Sequence, residues 1–259
     1  ILAPLLFAGV AEGISITAAF VMAAVTAIPS VLMPLAIRAD TRAVLAPGQV
    51  ITGGPRDVVR RAWEGFTFVR KHRLLPGLYL LDIGMTVFTF YRQVLPALAS
   101  GLFRGGAGAV GILTAANSLG SVIGSLTVVA FERYPKKGML VVYATIGFSA
   151  SVFLFGTATS LWMGVLVILM MGGTDGVSVT MRETMVQLET PDAMRGRTVS
   201  LGYLAANTAN NVGTVWVGFL AAEVGSARTM QLGGLLSLAI TLVVWRGVAG
   251  LRQYLYRTT

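Results

Sequence analysis

No cysteine occurs in the 259 residues, which excludes disulfides, thiolate nucleophiles and iron–sulfur ligation. Histidine is nearly as scarce. His72 is the single one and it sits among charged residues, which argues against haem ligation and most histidine-based metal sites. There is no Asp-rich diphosphate motif, His–Glu metal cluster or Gly-x-Ser-x-Gly elbow, so neither an enzyme nor a cofactor is expected. Charge is also sparse: charged residues make up 12 % of the chain, against roughly 25 % in an ordinary soluble domain. What fills the space is apolar. Hydrophobic residues account for 55 % and the mean hydropathy is +0.75, values that exclude a typical water-soluble globule. The 20 basic residues against 11 acidic ones give a net charge of +9, but most of the positive charge lies between apolar runs. That arrangement reads as membrane topology, not as a nucleic-acid face.

A membrane-crossing helix needs roughly 20 mostly apolar residues. Seven such stretches are predicted, at 14–37, 74–103, 107–131, 139–157, 161–188, 198–222 and 229–248, after an apolar run at 1–11. That first run lacks the basic opening and cleavage site of a secretory signal. It reads as the end of a membrane helix, so the chain is expected to be the C-terminal part of a longer protein. Alternate connections collect sixteen basic residues on one side and two, Arg104 and Arg228, on the other. Positive loops stay in the cytoplasm, which puts the loop at 38–73 and the tail at 250–259 inside the cell, on a multi-pass inner-membrane protein. Within that loop, 56–73 forms an amphipathic helix, with Val58, Val59, Ala62, Phe66 and Val69 near one face. Trp63 and the arginines around it suit the headgroup layer; a solvated linker helix is the other reading. The bundle proper is expected over 74–249.

Polar side chains inside hydrocarbon face a cavity or another helix, so their helical phase indicates which faces look inward. The 74–103 stretch carries Asp82, Thr86, Thr89 and Gln93 as a continuous stripe. The next carries Thr114, Asn117, Ser118, Ser121 and Ser125, and Gly120 and Gly124 form a GxxxG spacing that favours close packing. Asp175, Ser178 and Arg182 mark 161–188, and Tyr203, Asn207, Asn210, Asn211 and Thr214 mark 198–222. The stretches at 139–157 and 229–248 carry only scattered hydroxyls and a glutamine, and are predicted to be outer, lipid-facing helices. The order polar, polar, apolar then occurs twice, which suits a transporter built of three-helix repeats; hydrogen bonding between neighbouring helices is the alternative.

Charges within or near the ends of these spans are the sharper signal, because each costs at least about 2.5–3.5 kcal/mol at the bilayer centre. Asp175 lies near mid-depth between Gly173 and Gly176; it is a candidate proton-carrying or substrate-binding carboxylate, or else one half of a structural pair. Arg92, between Tyr91 and Gln93 and ahead of a kink at Pro96, can bind an anionic group or a carboxylate outside this chain. Tyr203, Asn117, Asn207 and Asn211 complete the predicted pathway. Asp82, Arg182 and Glu183 are candidates for a cytoplasmic gate.

The run Glu183-Thr-Met-Val-Gln187-Leu-Glu-Thr-Pro191-Asp192-Ala-Met-Arg195-Gly196-Arg197 resembles the major facilitator superfamily, and looks closest to its multidrug, macrolide and siderophore exporter branch. There, a Gln-x-x-x-Pro-(acidic)-x-x-Arg-Gly-Arg run joins the tenth and eleventh helices. Trp63-Glu64-Gly65-Phe66 with Phe68 and Arg70-Lys71-His72, and Leu95-Pro96, are similar to the same branch. The family often repeats a gate motif between helices eight and nine. Glu132, Arg133, Lys136 and Lys137 match its charges, while Val128 and Pro135 stand where it has glycines.

The resemblance implies an all-α, polytopic membrane helix bundle: the C-terminal six-helix half of a major-facilitator fold, with parts of helices five and six at 1–37. It implies alternating access and, in many exporters, exchange of substrate for protons. Asp192, Arg195 and Arg197, with Glu132 and Arg133, would join the gate. The expected partners are the lipid bilayer, the missing N-terminal helices, an amphipathic small-molecule substrate and protons. A non-transporting membrane scaffold or receptor of the same fold is the competing reading.

Overall fold

The computed structural model describes residues 2–35, 54–101, 103, 106–131 and 134–254. Among them there is no β-strand. In chain order the helices are α1 (Leu2–Gly13), α2 (Ile16–Leu35), α3 (Pro55–Lys71), α4 (Leu75–Thr89), a 3₁₀ turn at Tyr91–Gln93, and α5 (Leu95–Gly101). They continue as α6 (Ala107–Ala130), α7 (Lys137–Phe155), α8 (Leu161–Glu189), α9 (Asp192–Val224), α10 (Ser226–Gly247) and α11 (Ala249–Gln253). By length and composition, α6, α7, α8 and α10 can each cross a bilayer. The chain is thus a bundle of membrane helices.

Punctuation in the sequence sets several boundaries. Pro55 opens α3 at a position where a missing N–H costs nothing. At the start of α4 the His72 Nδ1 accepts the N–H groups of Leu74 at 3.2 Å and Leu75 at 3.4 Å, capping donors the first turn leaves unpaired. Gly225 holds φ at +85°, a left-handed conformation that turns α9 into α10 and that a side chain would strain.

One predicted span is corrected. Residues 74–103 do not form a single helix kinked at Pro96. The α-helix stops at Thr89, Phe90 leaves helical geometry, and Tyr91–Gln93 make one 3₁₀ turn before α5 starts. Pro96 is accommodated as the second residue of α5, where its missing N–H is tolerated; within a continuous helix it would leave the Arg92 carbonyl without a donor and crowd it. A second correction concerns 198–222. The helix begins at Asp192, immediately after Pro191 ends the turn from α8, so Arg195 and Arg197 lie in its opening turns and not in a loop.

The helices touch in the order α6, α8, α7, α10, α4, α9, with α1 against α6 and α3 against α9. Small residues allow the closest approaches. At α6–α8, Gly120 lies against the Leu169 carbonyl, Gly124 against that of Gly173, Gly172 against that of Asn117, and Gly176 against that of Ser121. Two apolar clusters fill the interior. One centres on Leu113, Phe155, Ile168, Met171 and Met230; the other on Leu75, Leu78, Leu81, Val141, Met185 and Leu251. Buried hydroxyls also cross the interior: Ser149 and Ser237 bond at 2.8 Å between α7 and α10, and Thr145 and Ser178 at 3.3 Å between α7 and α8. Each such bond is worth about 0.6 kcal/mol in a membrane protein. This belt seats one face of α7 against α8 and α10, while Tyr143 and Leu154 on the same helix stay exposed.

Candidate functional site

The bundle holds a cavity of about 330 Å³ between α4, α8 and α9. From α4 come Tyr79, Asp82 and Thr86; from α8, Asp175, Arg182 and Glu183; from α9, Tyr203 and Asn210. Three carboxylates therefore share one cavity with one guanidinium. Arg182 is 7 % exposed. Its Nη2 donates to Asp82 Oδ1 at 2.7 Å and its Nη1 to Ser178 Oγ at 3.2 Å. A buried guanidinium needs such compensation, since an unpaired ion in low dielectric is costly. The pair also joins α4 to α8 across the cavity. On the other wall, the Tyr79 hydroxyl donates to the Thr198 carbonyl at 2.9 Å, joining α4 to α9.

Asp175 lies on the same wall, half-buried, seven residues before Arg182 on α8. Seven residues amount to about 10 Å along the axis and nearly two full turns. Both groups thus look into one space at different depths. Helical spacing alone pairs Asp175 with Arg182; the structure instead gives Arg182 to Asp82.

The remaining pathway residues divide. Tyr203 lines the cavity. Arg92 is exposed on the 3₁₀ turn, next to the buried Tyr91 ring. The Gln93 side chain lies outside what the structure describes. Asn117 is not among the cavity residues; its Nδ2 donates to the Ile168 carbonyl at 3.5 Å, and the Ser125 hydroxyl on the same helix accepts from Thr180 at 3.0 Å. In the polar stripe of α6, Asn117 and Ser125 thus bond to α8, while Thr114 and Ser118 donate to carbonyls of their own helix. Asn207 donates to the Tyr203 carbonyl at 2.9 Å and is exposed, as is Asn211.

The gate candidates divide too. Asp82, Arg182 and Glu183 share the cavity, with Glu183 exposed at its edge. Glu132 and Arg133 lie outside the described residues. Asp192 and Arg195 form an exposed pair at 2.6 Å one turn apart. Arg197 Nη1 meets Glu64 Oε2 at 2.6 Å, joining α9 to α3. With the Arg197 and Glu64 side chains 35 % and 44 % exposed, Arg197→Ala is expected to lower stability by only about 0–1 kcal/mol, read as a small shift in thermal unfolding midpoint.

Sequence reasoning missed Tyr79 and Gln187 as lining groups, and it placed Asn210 in the polar stripe of its helix without singling it out. A signal existed for each of the first two: Tyr79 precedes Asp82 by three residues, and Gln187 follows Glu183 by four, so each shares a face with a charge already singled out. For Asn210 the phase of α9 decides. Gly202 rests against Tyr79 on α4, and Gly213 against Thr86 and Val87 on α4 and Phe90 just beyond it. Eleven residues apart, they fix one face toward α4. Tyr203, Ala206 and Asn210 sit beside that face and Asn211 opposite it.

Comparison with known proteins agrees with this architecture. The family described as transmembrane secretion effector matches residues 82–251, the segment that holds every cavity-lining residue but Tyr79. Among curated proteins, the enterobactin exporter EntS of Escherichia coli O81 (strain ED1a) is 30 % identical over 190 residues, covering 73 % of this chain and 45 % of that protein. The proteins of the same name from Escherichia coli O157:H7 (strain EC4115 / EHEC) and Shigella boydii serotype 18 (strain CDC 3083-94 / BS512) give the same identity and coverage. The chain spans a little under half the length of these curated relatives. With two thirds of its residues inside the family's match, and with membrane helices around a charged cavity, the chain belongs to the transmembrane secretion effector family of the major facilitator superfamily.

Proposed function

We propose that this chain is the C-terminal bundle of an inner-membrane efflux transporter that exchanges an amphipathic small molecule for protons by alternating access. The observation that carries this reading is the cavity among α4, α8 and α9, in which the Asp82–Arg182 pair and Asp175 share one space. Ionisable groups inside a membrane bundle mark substrate or proton pathways by default. The exporters among its relatives support the direction of transport. The side rich in basic residues faces the cytoplasm, so the C-terminus is cytoplasmic.

In this mechanism the Asp82–Arg182 bond holds α4 to α8 in one state of the cycle. Asp175 takes up and releases the exchanged proton. When it is ionised, its charge competes with Asp82 for Arg182 and loosens the tie; when neutral, it leaves the tie intact. Glu183 stands at the cavity edge. Asp192, Arg195 and Arg197, with Glu132 and Arg133, belong to the cytoplasmic face of the gate. Arg92, Gln93 and Asn117 belong to the opposite end of the path, toward helices outside this chain. With Arg182 held by Asp82, the cavity keeps the negative charge of Asp175 and Glu183, which favours neutral or cationic cargo over anions. Tyr79, Tyr203 and Met85 offer apolar surface to its hydrophobic part.

The test is transport by the full-length protein in proteoliposomes with an imposed pH gradient. Wild-type flux is expected to rise with the gradient. Asp175→Asn is expected to lose gradient-driven flux by at least about tenfold, equal to about 1.4 kcal/mol of coupling, while downhill flux persists. Flux indifferent to the gradient in the wild type removes the proton exchange and leaves the fold untouched. Unchanged coupling in Asp175→Asn transfers the proton to another carboxylate.

A further inference from the structure

The membrane bundle does not absorb α3. This helix packs on α9, where Glu64 meets Arg197 and Gly65 rests against the Arg197 backbone. Gly65 and Val69 are buried on the side turned to the protein. The far side is neither buried nor polar. Val59, Trp63 and Phe66 are 68 %, 66 % and 42 % exposed, and their i, i+4, i+7 spacing makes one stripe. The rings of Trp63 and Phe66 lie 5.5 Å apart on it.

Charge frames this stripe. Arg56, Trp63 and Arg70 follow heptad spacing and fall on one line, with Lys71 beyond, and all three basic residues are exposed. The helix carries five basic and two acidic residues. Its two carboxylates are engaged within the protein: Asp57 with Arg60 at 3.1 Å, and Glu64 with Arg197. The positive excess is therefore on the outer side, beside the aromatic rings.

The position of the helix selects the occupant. The 33 residues of α9 extend about 50 Å, against a hydrocarbon thickness of about 30 Å. Its first turns, where Arg197 sits, therefore reach beyond the acyl region, and α3 packs beside them. An apolar stripe with tryptophan, framed by arginines and held at that level, matches the boundary between acyl chains and phosphate headgroups. Unlike the exposed apolar residues of the spanning helices, it carries its own cationic frame.

We propose that α3 docks on the anionic headgroup layer of the bilayer in which the bundle sits. Val59, Trp63 and Phe66 enter the acyl boundary, and Arg56 and Arg70 lie on lipid phosphates. This does not depend on what the cavity carries.

The chain has no cysteine, so Val59→Cys can be labelled uniquely with a fluorophore, any cysteine elsewhere in the full-length protein being replaced by serine. The protein is placed in nanodiscs of phosphatidylcholine, or of equal parts phosphatidylcholine and phosphatidylglycerol. Quenching is read with iodide from the water and with a headgroup-proximal doxyl lipid from the bilayer. In the anionic discs the Val59 label is expected to be open to doxyl lipid and shielded from iodide, while a Lys71→Cys label stays open to iodide. Lipid partition of the helix is expected to fall about fivefold for each of Arg56→Gln and Arg70→Gln, and to fall in phosphatidylcholine alone. Trp63→Cys, one turn on, gives the same reading independently of a single variant's folding. A Val59 label equally open to iodide in both discs overturns the proposal. So does a label closed to both quenchers, which assigns the stripe to another protein segment.

Discussion

Asp82→Ala is expected to destabilise the bundle by about 3–5 kcal/mol, the usual consequence of removing one partner from a buried ion pair. Arg182 would keep its charge at 7 % exposure with Ser178 Oγ as its remaining described hydrogen-bond partner, and a neutral hydroxyl does not replace a carboxylate. The lower end of the range applies, since the Asp82 side chain retains 17 % exposure and water can reach it. Thermal unfolding in detergent, followed by helical circular dichroism, reads the loss. The double variant Asp82→Leu with Arg182→Met separates stability from mechanism. Apolar groups of similar size need no counter-ion, so most of the stability is expected to return, while pH-driven flux in the full-length protein stays lost. A double variant as unstable as Asp82→Ala would show that the pair contributes through packing and not through charge.

Gly124→Ala is expected to destabilise by about 1–3 kcal/mol or more, although alanine is ordinarily the better helix former by about 1 kcal/mol. The added Cβ would overlap the Gly173 carbonyl, which belongs to the backbone of α8 and cannot rotate away. Gly120, Gly172 and Gly176 face backbone in the same way, so the contact is continuous and any one alanine wedges the pair apart. Gly218→Ala on α9 is the control. Nothing lies within 4 Å of its Cβ, and its unfolding midpoint is expected to stay level or rise. If Gly124→Ala matched that control, the α6–α8 approach would be looser than described.

The glycine spacing shows how far the sequence reaches. Gly120 and Gly124 announce a close helix contact, but a GxxxG in an apolar stretch does not name its partner. The answer lies on α8, where Gly172 and Gly176 have the same spacing. The stripe on α6 had the same ambiguity: hydroxyl and amide groups in hydrocarbon can face water or another helix, and the phase is identical in both cases. Packing against α8 absorbed Asn117 and Ser125.

Local chemistry made the helical character of this chain legible without coordinates. Apolar runs of bilayer length must satisfy their backbone internally, and helices do so; prolines and glycines punctuate them through fixed φ and absent Cβ. The charges that matter were visible as well, because ions in apolar spans are rare enough to stand out. Which charges meet was not visible. Asp82 and Arg182 are 100 residues apart, and no periodicity within one helix relates them. The inward face of α9 was equally hidden, since Asn207, Asn210 and Asn211 share one arc of about 100° and only the seating of Gly202 and Gly213 on α4 selects Asn210. Periodicity constrains a helix about its own axis; the rotation and depth at which helices meet come from the fit of backbone to backbone, and that exists only in the assembled bundle.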